Sequence, residues 1–517
     1  MRRRFIAVAA GILYPLGFAP FKFYPLSLIA MALLFSLWRF DTLKEAARHG
    51  LLFGLTAFMV GVSWVYVAIH QFGNSPAVVA LLLTLLFVAV LAFFPLLCAV
   101  LVVAVRHHWQ LSSNSPGLLL FVMPFFWLLT EWLRSWIFTG FPWLSLGYSQ
   151  TEAPLGGFAP LLGVLGVSWL TALSAALLLF IALPQTASYR YRASIALLLL
   201  WLVGYFSYQH SWSEATGRQI AVALVQGNAP QETTWDTAAL ATRLELYQSL
   251  SRPLFGQQLI LWPENAIPGF YHALHRRFFA PLAAEAARFG SEIVTGAPVQ
   301  QDRGRGYYTS LVVAGDPSRI YHKQHLVPFG EYLPFNQLLR GAIAFFNLPM
   351  SDFSAGPTGQ QALQLAGETV AVTICYEDLF PDILRDQLPG SDAQGGVGLL
   401  LNASNNAWYG DSFAPHQHLQ IAQMRSLEFG RATARVTTNG ISAFIGVKGE
   451  IISQTRQFTT ATLTADLPVM TGLTPYGRWG DRPLWGGLLL GALALLFTYF
   501  RLRVGDRGLS PPPAAPR

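Results

Sequence analysis

Charge and cysteine are both scarce in this chain of 517 residues. Asp, Glu, Lys and Arg make up 12% of it, against ~25% in a soluble domain. That deficit excludes a protein that is water-exposed throughout. Only Cys98 and Cys375 carry thiols. Cys98 lies in the apolar run Phe93-Phe94-Pro95-Leu96-Leu97-Cys98, while Cys375 lies in a stretch of ordinary polarity, so no disulfide between them is expected. Lysine is rare too: Lys22, Lys44, Lys323 and Lys448 are the only four among 34 Lys and Arg. Arg fills the generic cation positions, so a Lys in an apolar-flanked loop marks a place where a compact ammonium is wanted. The net charge of +7 comes without any basic–aromatic groove pattern, and nucleic-acid binding is not expected.

What the chain has instead is apolar runs. They fill 1–208 and 484–500, whereas 210–480 reads as a water-soluble domain. Eight transmembrane helices are expected, near 5–20, 24–39, 51–71, 77–105, 117–137, 159–183, 192–208 and 484–500. The first two are short for a bilayer core, and Pro95 implies a tilt or kink in the fourth. The first follows Arg2–Arg4 but lacks a small-residue cleavage site, so it is expected to be retained. Cations fall on alternate connections: Arg2–Arg4, Arg39, Lys44 and Arg48, Arg106, Arg190 and Arg192, then Arg501, Arg503 and Arg507. The positive-inside rule then places both termini in the cytoplasm and the 210–480 domain outside. The expected organisation is a seven-helix membrane domain over 1–210, an extracytoplasmic domain over 211–475, and a last helix with a cytoplasmic tail over 476–517. Glu131 and Arg134 fall three apart near the outer end of the fifth span. They read either as an interfacial ion pair or as a cation that meets a lipid headgroup phosphate.

From 219 onward, short β-type runs alternate with helical stretches. Strands are expected at 219–225, 259–262, 293–296, 308–313, 370–374 and 398–402, and helices near 274–289 and 414–430, with a hairpin through Gly449. This is an α/β pattern, whose functional groups sit at strand ends. Three groups stand at such ends: Glu264 after Leu259–Trp262, Lys323 in Tyr321-His322-Lys323-Gln324-His325-Leu326 downstream of 308–313, and Cys375 after Val370–Ile374. Each has a bland reading, as a surface carboxylate, a chance lysine or a buried structural thiol. Together, a carboxylate, an ammonium and a thiol can make and break an acyl thioester.

The strings around these residues carry a resemblance. Trp262-Pro263-Glu264, Tyr321-His322-Lys323 through Phe329-Gly330-Glu331-Tyr332, and Cys375-Tyr376-Glu377 resemble the three signature blocks of the nitrilase superfamily. Asn402-Ala403-Ser404-Asn405-Asn406-Ala407-Trp408-Tyr409-Gly410-Asp411 with His416-Gln417-His418, and Gly61–Tyr66 with Thr139–Trp143, resemble its membrane-bound branch, the apolipoprotein N-acyltransferase family. The resemblance covers nearly the whole chain. It implies a four-layer α-β-β-α domain held outside the bacterial inner membrane by eight helices. It also implies Cys375 as nucleophile, Glu264 as general base and Lys323 as the oxyanion-stabilising cation, with Glu331, Tyr376 and Glu377 at supporting positions. Trp235, following Gln226-Gly227-Asn228, falls on a loop near substrate, and His416 and His418 read as helix-start structure and not as metal ligands.

The expected reaction passes an acyl chain from a membrane phospholipid to Cys375 and then to the N-terminal amine of a diacylglyceryl-cysteine on an apolipoprotein. No cofactor and no metal are expected, and a monomer is. The apolar segment 342–348 is a candidate for dipping into the bilayer. Two rivals stand beside this reading: a membrane-tethered amidase acting on a small C–N substrate, and a non-enzymatic transporter or lipid-binding protein. The second is disfavoured because the spans lack charged relays.

Overall fold

The computed structural model describes residues 1–229, 237–301, 306–332, 353–388 and 396–507. Within 214–471 the β-branched and leucine-rich runs form two six-stranded sheets. β1 (Glu214–Gln226), β2 (Leu259–Leu261), β3 (Glu292–Gln300), β4 (Tyr307–Val313) and β5 (Asp316–His322) make one sheet with β12 (Ala461–Thr471), in the order β12-β1-β2-β3-β4-β5. β6 (Leu363–Leu365), β7 (Glu368–Ile374), β8 (Leu399–Ser404), β9 (Thr433–Thr437), β10 (Ala443–Ile445) and β11 (Ile451–Gln454) make the other, in reverse order.

Alternation decides the layers, because successive strand residues point to opposite faces. Val222, Leu224, Leu259 and Leu261 of the first sheet share one core with Val370, Val372, Leu399 and Leu401 of the second. Each such side chain contributes about 1.5–3 kcal/mol on full burial. The intervening residues Ala223, Val225, Ile260 and Trp262 face outward onto Tyr247, Phe279 and Leu282, so helices cover that face. On the second sheet Ala371 and Leu400 meet Leu384 and Phe429. The result is an α-β-β-α sandwich. β1, β2 and β3 pair in parallel, as do β7, β8 and β9, which aligns their C-terminal ends.

The N-terminal half is helical. α1 (Arg2–Leu13), α2 (Tyr24–Trp38), α3 (Leu43–Val62), α4 (Ala77–His108), α5 (Met123–Trp136), α6 (Ala159–Ala182) and α7 (Ala187–Gln209) precede the sheets. α3 starts on a capping box between Thr42 and Glu45. Among the described residues, four helical stretches are long and apolar enough to cross a membrane: Ala77–His108, Gly117–Thr139, Pro154–Ala182 and Ala187–Gln209. A fifth is counted if Leu43–Val62 and Trp64–Phe72, bent by 53°, act as one span. The first two expected spans are shorter than a crossing helix. α1 stops after 12 residues, where Tyr14–Gly17 tightens into a 3₁₀ turn around Pro15, and α2 has 15 residues; at 1.5 Å per residue neither helix reaches ~30 Å without the chain that flanks it. The expected span 484–500 lies within the helix Arg482–Arg507.

The two halves share a helix, α10 (Ala414–Phe429), after α8 (Thr237–Ser251) and α9 (Ala280–Ala287) in chain order. Its Leu419 and Ala422 pack on Ala443 and Ile445 of the second sheet, while Ile421, Met424 and Leu427 belong to the core of the helical half. Sixteen residues long, it has no exposed face.

Candidate active site

The three expected residues meet where the two sheets end. Lys323 follows β5, and its backbone is held on both sides, its N–H donating to Thr309 O at 2.8 Å and its carbonyl accepting from Gly356 N at 2.7 Å. Its Nζ donates to Glu264 Oε1 at 3.0 Å and to Glu331 Oε1 at 2.7 Å. Glu264 Oε2 accepts from Asn405 N at 2.8 Å, and Glu331 Oε2 from Val327 N at 2.8 Å. The next strand, β3, comes so close that a Cβ on Gly296 would lie 2.4 Å from Pro263 O and 2.6 Å from Glu264 Cα. Only glycine fits there.

Cys375 leaves β7 on a sharp turn with φ of 52°, in the left-handed region that a non-glycine residue enters only under constraint. Its Sγ lies 4.0 Å from Asn405 O. Asn405 therefore touches the thiol through its carbonyl and the carboxylate through its N–H. Glu377 holds the turn, accepting from Ile374 N at 2.7 Å and Tyr321 Oη at 3.1 Å on one oxygen, and from Gln324 N at 2.5 Å and His325 N at 3.2 Å on the other. It thereby ties the Cys375 turn to the loop that carries Lys323.

The electrostatics follow from burial. Lys323 and Glu264 are 1% and 3% exposed. Burial alone would depress the Lys323 ammonium, but Glu264, Glu331 and Cys375 outweigh it and hold the group well above its ordinary range. Burial, with the neighbouring Glu264 charge, pushes the Cys375 thiol up, against the pull of Lys323. The resting site is thus a neutral thiol beside a fixed cation. Burial raises Glu331, and it pushes Glu377 up to about 7 despite its four donors.

The pattern of the apolipoprotein N-acyltransferase N-terminal domain matches residues 10–177, and that of carbon-nitrogen hydrolases matches residues 221–476. The apolipoprotein N-acyltransferase of Methylococcus capsulatus is 40% identical over 96% of this chain and 96% of its own length. The chain belongs to the apolipoprotein N-acyltransferase family. The enzyme of that name from Azotobacter vinelandii is 41% identical over 95% of this chain and 94% of its own. A solved CN-hydrolase superfamily protein from Xanthomonas campestris is 20% identical, covers 48% of this chain and 91% of its own, and superposes with a TM-score of 0.36. As a member of the apolipoprotein N-acyltransferase family, the chain is an acyltransferase enzyme built on a carbon-nitrogen hydrolase domain.

The remaining expected residues fall in different places. Tyr376 is buried, and its hydroxyl donates to Gly140 O at 2.8 Å, joining the Cys375 turn to the Thr139–Trp143 loop of the helical half. Arg134 is not at a surface. It is 3% exposed and donates to Phe141 O at 2.6 Å, Trp143 O at 2.5 Å and Ser145 Oγ at 3.4 Å, with its guanidinium 5.4 Å from the Phe58 ring centre. Those acceptors occupy it, which corrects the reading of a cation reaching a headgroup: its place is inside, shaping the loop that Tyr376 touches. Glu131 is likewise buried, accepting from Trp127 Nε1 and Leu146 N. Trp235 and the segment 342–348 lie outside the described residues.

Sequence reasoning assigned no role to Asn405 or Gln417 and read His418 as helix-start structure. His418 is in the second turn of α10, with Nε2 3.2 Å from Cys375 O. The available signal was the Asn402–Asp411 block and the His416-Gln417-His418 triplet, which carry the family resemblance but not the direction in which each side chain points.

Proposed function

We propose that the chain N-acylates the S-diacylglyceryl-cysteine at the N-terminus of apolipoproteins, taking the acyl group from the sn-1 position of a membrane phospholipid through a Cys375 thioester. The observation that carries this reading is the buried Glu264–Lys323–Glu331 cluster beside Cys375, tied by Tyr376 to a loop of the apolar helical half.

Each proton has a place to go. Glu264 takes the Sγ proton as sulfur attacks the ester carbonyl, which suits a thiol held above its ordinary range and so not ionised in advance. Lys323, still charged, faces the oxygen that becomes negative. Collapse breaks the ester C–O bond, and the leaving alkoxide of the lysophospholipid takes the proton from Glu264. In the second half, the lipoprotein α-amine attacks the thioester and gives a proton to Glu264. Expulsion of the sulfur breaks the C–S bond and leaves an amide, and the departing thiolate takes the proton back from Glu264, which restores the thiol.

The reading includes an arrangement in the bilayer: a domain of 1–210 and a final segment of 476–517 that together span the inner membrane eight times, a catalytic domain of 211–475 on the periplasmic side, and cytoplasmic termini. Charge distribution supports it. Arg3, Arg39 and Arg106 gather with Asp41 at one end of the bundle, through contacts to Asp41 itself, Asn114 and the carbonyls of Trp38, Arg39 and Asp41. Gly61, Trp64, Trp143 and Val164 meet the catalytic domain instead. The reading takes the enzyme as a monomer. A small-amide hydrolase is the weaker reading, because such a substrate gives no reason for the nucleophile turn to be bonded to membrane-type helices.

Intact-mass analysis after incubation with phospholipid tests the proposal. An added acyl mass, removed by hydroxylamine and absent in Cys375→Ala, is expected. Turnover of lipoprotein substrate without any such adduct would overturn the thioester route.

A further inference from the structure

Two consecutive side chains of α10 reach in opposite directions. Gln417 Oε1 accepts from the indole N–H of Trp143 at 2.6 Å and of Trp64 at 3.2 Å, and its Nε2 donates to Gly61 O at 3.1 Å. All three partners belong to the helical half. The next residue, His418, lies with Nε2 3.2 Å from the carbonyl of Cys375 and Nδ1 3.4 Å from Asn406 Nδ2. Gln417 is 4% exposed and His418 is fully buried.

The partners fix the tautomer. A carbonyl oxygen only accepts, so Nε2 carries the proton and donates to Cys375, and Nδ1 accepts from the Asn406 amide. Burial lowers the His418 pKa well below its ordinary value, which keeps the ring in this neutral form. The bond lands on a residue whose φ is 52°. A left-handed non-glycine backbone is strained and persists only where its surroundings over-determine it.

We propose that His418 is a positioning residue that holds the strained Cys375 backbone, and that Gln417 makes this hold depend on the docking of Trp64 and Trp143 from the helical half. The proposal rests on the reading of Cys375 as nucleophile. It implies that the catalytic domain's own residues are insufficient: the thiol reaches its working position only when the membrane-side indoles seat the first turns of α10. Misplacing a reacting group by about 1 Å costs about 10²-fold in rate.

The test uses the full-length protein in phospholipid nanodiscs, with His418→Leu, His418→Gln and Gln417→Leu. A glutamine amide can place an N–H where Nε2 stood. Expected are a Cys375 acylation rate about 10²-fold lower in His418→Leu at unchanged half-saturating lipid, recovery of about ten-fold in His418→Gln, and a loss of about ten-fold in Gln417→Leu. Iodoacetamide labelling of Cys375 follows the same order and needs no acyl transfer. Wild-type rates of acylation and labelling in His418→Leu would overturn the proposal, as would His418→Gln no faster than His418→Leu at equal melting temperature. A wild-type Cys375 that labels with iodoacetamide but never takes an acyl chain would overturn the nucleophile reading instead, with the labelling order still deciding the role of His418.

Discussion

Replacing Glu331 by Gln separates positioning from electrostatics at the proposed site. The carboxylate serves two donors, Lys323 Nζ at 2.7 Å and Val327 N at 2.8 Å, one on each oxygen. An amide offers a single acceptor atom, so one donor must face an NH₂ group. A buried donor without a partner costs about 1–3 kcal/mol. If that cost falls on the placement of Lys323 against the forming oxyanion, the rate drops about 10–10²-fold, at about 1.4 kcal/mol per decade. The charge acts the other way. Glu331 is one of the anions that push the Cys375 thiol up, so its removal lets the thiol titrate lower. Two measurements should therefore move in opposite directions. Single-turnover acylation by phospholipid, followed by intact mass, slows, while the pH at which iodoacetamide labelling rises shifts down. A general folding defect would slow both, and a purely electrostatic role would quicken both. An acylation rate equal to wild type, or a labelling profile that does not shift down, refutes the reasoning.

Other perturbations reach neighbouring contacts. Burial raises Glu377 from its ordinary 4.5 to about 7, so between those values the folded protein holds a proton the unfolded chain has released, and this group's contribution to stability falls as pH rises through that window. Activity should do the reverse, because only the carboxylate satisfies four donors. The kcat/KM profile is expected to climb near pH 7, and Glu377→Gln should lose that limb; a limb that persists in the variant refutes the assignment. Tyr376→Phe leaves Gly140 O without its donor, a loss of about 1 kcal/mol, and kcat/KM for the lipid substrate should fall about five-fold with folding intact; an unchanged value sinks it. Arg425→Leu strands the buried Glu428 carboxylate, which pairs with Arg425 Nε at 3.0 Å. At about 3–5 kcal/mol, a clear drop in melting temperature in detergent is expected, and an unchanged melt would show that the buried carboxylate does not depend on this pair.

The α/β domain was legible because its strands are long, apolar and bounded by turns. The expected strands at 219–225, 308–313 and 370–374 fall inside β1, β4 and β7, and the expected helix at 414–430 is α10 within a residue. Glu264 and Cys375 stood out for a related reason: each comes just after an apolar strand, β2 or β7, that pairs in parallel with its neighbours; Lys323 follows the polar strand β5, paired antiparallel to β4, and stood out through the rarity of lysine. The helical half was less legible. Hydropathy marks apolar residues but not helix breaks, so the run 5–20 looked continuous although the helix stops at Leu13. Hydropathy is equally blind to direction. Arg134 near a helix end reads as an interfacial cation, and nothing local reveals that the chain returns at Phe141 and Trp143 to take its hydrogen bonds.

Direction also explains α10, whose Gln417, Gln420 and Gln423 are polar residues at helical spacing, yet all three are buried. Their partners give the reason. Gln420 Oε1 accepts from Ala19 N at 3.0 Å, past the end of α1; Gln417 donates to Gly61 O at the bend after α3; and Glu428, on the same helix, accepts from Val164 N at 2.7 Å, beside the break at Gly163 in α6. Each is a backbone group released where a bundle helix is interrupted. At a boundary without water such groups need protein partners, so the helix that docks the catalytic domain is polar because the surface receiving it is made of broken helices. Gln420→Met, similar in length and lacking an acceptor for an amide, should then cost about 1–3 kcal/mol through the orphaned Ala19 N–H, seen as a lower melting temperature than Leu419→Met, which only repacks carbon on the sheet side. Equal melts for the two variants would mean that the glutamine is not filling a backbone vacancy, and the account of the polar face would fail with it.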